Sequence, residues 1–273
     1  MTRIRAAFAQ FFPEFGVRTT NTEMIRRLGR EAKQNGGVDL LVYPELCTTG
    51  YDFIDTAEAR DLAQPFFEGD ESALAKELAA DLDAVVVLGY AERAGDLVYN
   101  SALMALPDGT THNYRKLHLF SRETEIFAPG DTAPRAVETP AGRLGMMICF
   151  DWFFPETARL LALDGAQVIV HPSNLVMPYC QKAMYARCVE NRVFAITTNR
   201  IGEESRAGRT LNFTGQSQIM DPQGNVLAHA SANGEAVGFA EFDPDDADNK
   251  QLNEYNDVFA MRRTSMYGPL ANE

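Results

Sequence analysis

The stretch GMMICFDWFFPE, residues 145–156, decides how the chain folds. A hydrophobic run ends at Cys149, an acid follows at Asp151, and the chain turns aromatic before Pro155-Glu156. Proline is favoured in the first turn of a helix, so the stretch predicts a strand, a tight turn and then a helix. Free cysteine is among the most buried residue types. Cys149 alone therefore reads either as a packed thiol finishing a core strand or as a nucleophile set where the strand meets the helix.

The same alternation runs outward in both directions. Upstream, RIRAAFAQF (3–11) and the continuously apolar DLLVYPE (39–45) predict strands. Between them, a capping box Thr20…Glu23 and the pair Gly36-Gly37 bracket a helix. DESALAKELAADL (70–82) predicts a second helix, AVVVLGYAER (84–93) a strand, and 97–120 a hairpin turning at Pro107-Asp108-Gly109. Downstream come helix 155–166, strand QVIVHPSN (167–174), helix 179–192 and strand 193–202. A hairpin then turns at Asp221–Gly224, and an acidic tail beginning near Asp243 reads as partly helical. Doubly buried strands alternating with helices define an α/β layer fold, and the hairpins make its sheets mixed. Without a linker, low-complexity segment or visible repeat, residues 1–273 are expected to form one domain.

Composition narrows the functions available. With 45% hydrophobic residues and a mean hydropathy of −0.23, the 273-residue chain has enough apolar surface for a sizeable core. A net charge of −13 argues against nucleic acid and acidic membranes, which call for a basic face. The amino-terminal segment lacks the apolar core of a signal peptide, and no run reaches membrane-spanning length. Four cysteines (47, 149, 180, 188) with no export signal predict reduced thiols in a cytoplasmic protein. The four histidines (112, 118, 171, 229) are scattered and no Cys-x2-Cys pair exists, so neither metal nor cofactor is expected.

In α/β sheets chemistry gathers beyond the carboxyl ends of strands. Glu45 closes one strand, Cys149 another, and Lys116 shares an alternating face with Tyr114 and His118. A thiol attacks only as thiolate and needs a base or a nearby cation. A desolvated glutamate can take that proton, and a lysine can hold the oxyanion formed when a carbonyl is attacked. Amide N–H groups just after Cys149 add further donors. Each residue also has a plainer reading: a solvated acid, an exposed strand lysine, a packed thiol. His118 or His171 paired with Cys149 is a second possible arrangement.

YPELCTTGY (43–51), YRKLHLFSRETEIFAPG (114–130) and MICFDWFFPE (147–156), in that order, resemble the nitrilase superfamily of carbon–nitrogen hydrolases. The likeness extends through HPSN (171–174) and ENRVFAITTNR (190–200). It implies a four-layer α-β-β-α sandwich and a Glu45–Lys116–Cys149 triad. Glu123, ahead of Phe127-x-Pro-Gly, would steady the lysine, with Glu125 the weaker candidate for that place. The resemblance also implies a homodimer or larger assembly, with the tail (about 243–273) used in contacts between copies. The implied reaction attacks a small amide, forms a Cys149 thioester with the Phe150 N–H helping to bind the oxyanion, and ends in hydrolysis.

Cys149-Phe150-Asp151 stands where nitrile-hydrolysing branches show Cys-Trp-Glu, which favours an amidase or carbamoyl-amide hydrolase over a nitrilase. No arginine follows the cysteine to take a carboxylate. Phe150, Trp152, Phe153 and Asn174 are the expected substrate contacts, favouring an apolar or cationic tail. A nitrile substrate, acyl transfer to an amine and an inactive scaffold of the same fold are the remaining alternatives. Cys47, Cys180 and Cys188 read as packing residues.

Overall fold

A computed structural model describes residues 3–206 and 208–270. Its first half runs β1 (Ile4–Gln10), α1 (Arg18–Gln34), β2 (Leu40–Val42), α2 (Thr56–Leu62), α3 (Asp70–Leu82) and β3 (Val85–Ala94). β4 (Leu97–Ala105), β5 (Thr111–Arg115), the short α4 (Glu123–Ile126) and β6 (Ala136–Thr139) follow. The second half runs β7 (Gly142–Met146), α5 (Pro155–Leu163), β8 (Val168–Ser173), α6 (Cys180–Asn191) and β9 (Phe194–Asn199). β10 (Glu203–Arg206) and β11 (Arg209–Asn212) form a small hairpin, succeeded by β12 (Gln218–Met220), β13 (Val226–His229) and β14 (Ala236–Phe242).

Two six-stranded mixed sheets result, ordered β14-β1-β2-β3-β4-β5 and β13-β12-β9-β8-β7-β6. Each has a parallel centre, β1-β2-β3 or β7-β8-β9, flanked by antiparallel strands. The two sheets thus repeat one topology that the sequence does not betray.

The sheets face one another, and helices cover their outer faces. Alternation within each strand explains this. In β1, Ala6 and Phe8 join the layer between the sheets, while Ala7 and Ala9 meet Ile25 and Leu28 of α1 and Leu78 of α3. Both faces of the central strands are buried, which is why they read as unbroken apolar runs. The four-layer sandwich expected from the resemblance is the observed fold.

Local expectations fail in identifiable ways. α1 begins at Arg18, not at a Thr20 cap, and no side chain caps it. Asn21 instead ties the helix to its own entry loop, accepting from the Glu14 N–H and donating to the Glu14 and Thr48 carbonyls. The tail holds 3-10 turns and a hairpin rather than α-helix. Asn249, Asn253 and Asp257 accept bonds from backbone N–H groups just ahead of them, favouring turns over a helix. Leu252, Tyr255 and Met261 leave apolar surface exposed there. Residues 271–273 of that segment lie outside the described residues. α2, β6 and the β10–β11 hairpin are too short and too polar to show a period. No described helix is long and apolar enough to cross a membrane.

Candidate active site

The ends of β2, β5, β7 and β8 bring the candidate residues to one seam between the sheets. Glu45 lies three residues past β2, packed so closely on β3 that a Cβ at Gly89 would fall 2.4 Å from the Glu45 Cα. Gly89 N–H donates to the Pro44 carbonyl at 3.0 Å and its own carbonyl accepts from Cys47 N–H at 2.9 Å. Gly89→Ala is therefore expected to cost about 1–3 kcal/mol of stability by forcing backbone apart, and to lower activity by displacing Glu45. Denaturant midpoints together with turnover check this; a variant unchanged in both would contradict the close approach.

Lys116, the first residue beyond β5, is fully buried and bridges two acids. Its Nζ lies 2.6 Å from Glu45 Oε1 and 2.8 Å from Glu123 Oε2. Tyr51 Oη donates to Glu123 Oε1 at 2.6 Å, and Asn100 Nδ2 donates to Glu45 Oε1 at 2.7 Å. The Lys116 backbone N–H bonds the Asn100 carbonyl at 2.9 Å, so Asn100 ties together the acid and the lysine. Glu45 Oε1 thus takes two donors while its Oε2 has none among the described residues.

Strand β7 ends at Met146, earlier than expected, and Cys149 opens a 3-10 turn that leads into α5. Its φ of 40° lies in the left-handed region, uncommon for a residue with a Cβ and a form of strain that clusters at functional sites. Asp151 holds this turn: its carboxylate accepts from the Ile148 N–H at 2.9 Å, Tyr114 Oη at 2.8 Å and the His118 N–H at 3.1 Å. Tyr114 and His118 come from the other sheet's edge, so Asp151 pins the cysteine turn across the seam. Burial pushes the Cys149 thiol well above its ordinary value, Glu45 pushes it further, and Lys116 partly opposes them. Burial also raises Glu45, against the pull of Lys116. For Lys116 burial works downward, but Glu123 and Glu45 outweigh it and the ammonium is retained. Burial thus favours the neutral form of the thiol.

A narrow cleft opens at Cys149, walled by Phe120, Phe150, Trp152, Val176 and Met177, with Asn174 as its polar member. Phe153 stands outside it: it is 51% exposed and packs edge-on against Trp152, because the 3-10 turn rotates it toward solvent. A roomier groove lined by Arg192, Asp221 and Asp243 contains neither thiol nor lysine. The Cys–His alternative finds no geometric support. His171 Nε2 faces the Cys149 carbonyl at 2.9 Å rather than its sulfur, and burial holds this imidazole down at about 4. His118 is bound to Asp151 and stacked on Phe154 at 3.7 Å. Cys47 is buried against the Gly89 carbonyl, and Cys180 and Cys188 are buried on α6. Glu125 lies on the exposed face of α4, paired with Arg122.

Sequence reading missed Asn100, Tyr51 and Asp151. It also missed the fully buried Arg200, which pairs with Glu204. Glu204 in turn accepts from the Asp52 N–H at 2.7 Å and so braces the loop carrying Tyr51. Asp151, two residues past the cysteine in a strand-to-turn junction, was the one with a readable signal. The others depend on partners remote in sequence.

A buried thiol beside a glutamate–lysine–glutamate chain on a four-layer sandwich is the arrangement that the resemblance to carbon–nitrogen hydrolases leads one to expect. Comparison with known proteins agrees: a carbon-nitrogen hydrolase profile matches residues 5–250, and the chain belongs to this family, within the nitrilase superfamily. It is 43% identical to a protein of Pyrococcus abyssi named nitrilase, across 97% of this chain and 99% of that one. An (R)-stereoselective amidase of a Pseudomonas species is 35% identical across 77% and 76% of the two chains. The crystal structure of a carbon-nitrogen hydrolase from Helicobacter pylori G27 superposes with a TM-score of 0.90 at 27% identity, covering 99% of both chains.

Proposed function

We propose that this chain hydrolyses a small carboxamide through a thioester on Cys149, releasing ammonia or an amine and a carboxylic acid. The observation that carries the reading is the buried chain Glu45–Lys116–Glu123, whose charges all act on the Cys149 thiol. Burial keeps these groups desolvated, so an acid can serve as a base and a lysine can stabilise charge without water competing.

In this mechanism Glu45 takes the thiol proton as the sulfur attacks the carbonyl carbon. The oxyanion is held by Lys116 Nζ and by the Phe150 N–H at the turn. The tetrahedral intermediate collapses, the C–N bond breaks, and Glu45 returns the proton to the departing nitrogen. Water then attacks the thioester with the same carboxylate as base; the acid leaves and the thiol regains a proton. Glu123, tied to Tyr51, keeps Lys116 in place. Phe150, Trp152 and their neighbours give the acyl group an apolar pocket.

A nitrile substrate is the second reading, favoured by the name of the Pyrococcus relative. Ammonia release from matched amides, nitriles and N-carbamoyl amines, with intact-mass detection of the acyl-enzyme, separates the two. Amide turnover with an adduct on Cys149 is the expected result. Turnover of nitriles alone would replace this reading with the second.

A further inference from the structure

Three buried oxygens around the base lack a hydrogen-bond donor among the described residues: Glu45 Oε2, Asn100 Oδ1 and Asn174 Oδ1. All three are acceptors. Asn174 is the one that lines the cleft together with Cys149. Chemistry fixes how its amide points. The atom 2.9 Å from the side chain is the main-chain carbonyl of Glu45, which can only accept, so Nδ2 must face it and Oδ1 must face elsewhere. The neighbouring Leu175 N–H is committed to Asn199 Oδ1 at 2.8 Å. Asn174 Oδ1 is thus a buried acceptor without a donor among the described residues, on a residue that lines the cleft beside the thiol. Buried acceptors of this kind are costly unless something supplies an N–H or O–H.

We propose that Asn174 Oδ1 accepts an N–H from the substrate's own –CONH2 group and so makes the site select carboxamides and ureido groups over nitriles. The inference rests on the thioester reading and adds to it the residue that chooses among substrates. A nitrile nitrogen carries no hydrogen until the thiol has added, so a nitrile binds with Oδ1 still lacking a donor. An ester presents the same carbonyl but no N–H. Sites built to bond a substrate N–H reject analogues without one far more strongly than an apolar pocket discriminates by size. Because Nδ2 of the same side chain holds the Glu45 carbonyl, the substrate nitrogen would be positioned relative to the residue that later protonates it.

The test compares kcat/KM for a primary amide and the methyl ester of the same acid, in the wild type and in Asn174→Leu. Both substrates form one acyl-enzyme, so its deacylation rate, which needs Glu45 but no substrate N–H, reports a displaced Glu45, whereas a lost acceptor leaves deacylation unchanged and lowers only amide acylation. The amide-to-ester ratio is expected to fall roughly tenfold or more; an unchanged ratio overturns the proposal. Should Asn174→Leu fail to fold, calorimetric titration of the Cys149→Ala protein provides a second measurement. There the nitrile is expected to bind roughly tenfold or more weakly than the amide of the same chain, and equal affinities overturn the proposal. Failure of the underlying reading looks different: the wild type cleaves neither substrate, or Cys149→Ala keeps its turnover, and either result removes both claims.

Discussion

Cys149→Ala is expected to lower amide hydrolysis by at least about 10⁴-fold, as loss of the nucleophile does in enzymes that form an acyl intermediate. The same protein should remain folded, because only a sulfur atom leaves a turn that Asp151 already pins to the other sheet. Glu45→Gln should lose activity on a similar scale for a different reason. The amide keeps the shape of the carboxylate but cannot accept a proton from the thiol. Lys116 would keep Glu123 as its counter-charge, so this variant too should fold. Steady-state ammonia release, read with circular dichroism and intact mass after incubation with substrate, checks the pair. Substantial turnover by Cys149→Ala would end the thioester mechanism. Turnover by Glu45→Gln with Cys149 intact would move the base elsewhere.

Lys116→Met is expected to be the most destabilising single change at the site. The ammonium is the cation that Glu45 and Glu123 share, and methionine fills its space while leaving both carboxylates without a counter-charge. Removing one partner of a buried ion pair costs about 3–5 kcal/mol, because the charge left behind stays desolvated. The loss should depend on pH. Glu45 sits above its ordinary value even with the lysine present, and deleting the lysine removes the main influence holding it down. A carboxyl whose folded value exceeds its unfolded one favours folding when protonated. Its stabilisation is complete below the unfolded value and is lost as pH rises through the folded one. Lys116→Met should therefore recover stability relative to wild type as the solution is acidified, and fall further behind toward neutrality. Urea denaturation across that range measures it; a pH-independent deficit would mean the carboxylates find other partners.

Much of this site was legible because its reacting residues sit where strands stop, and strands buried on both faces stop visibly in sequence. Glu45 follows an apolar run, Cys149 ends another, and Lys116 lies just past a hairpin with a readable turn. The residues holding them were not legible. Asn100 reads as an ordinary strand residue until the hairpin partner brings Lys116 against its carbonyl. Phe153 reads like its neighbours because Trp152, Phe153 and Phe154 are three rings in a row, and only the 3-10 turn decides which ring faces the cleft. The capping box at Thr20 had the right residue types in the right spacing, yet the Asn21 side chain was taken up by its own entry loop.

Glu45, Lys116 and Glu123 follow strands of one sheet, whereas Cys149 and Asn174 follow strands of the other. The two halves of the chemistry ride on separate platforms, aligned by how Phe8, Val42 and Val87 interdigitate with Ile148, Val170 and Ile196. A slip of either platform against its fellow misaligns thiol and carboxylate while every strand stays paired. Catalytic competence is thus a finer gauge of that interlayer than foldedness, and would be the first thing lost when the interlayer loosens.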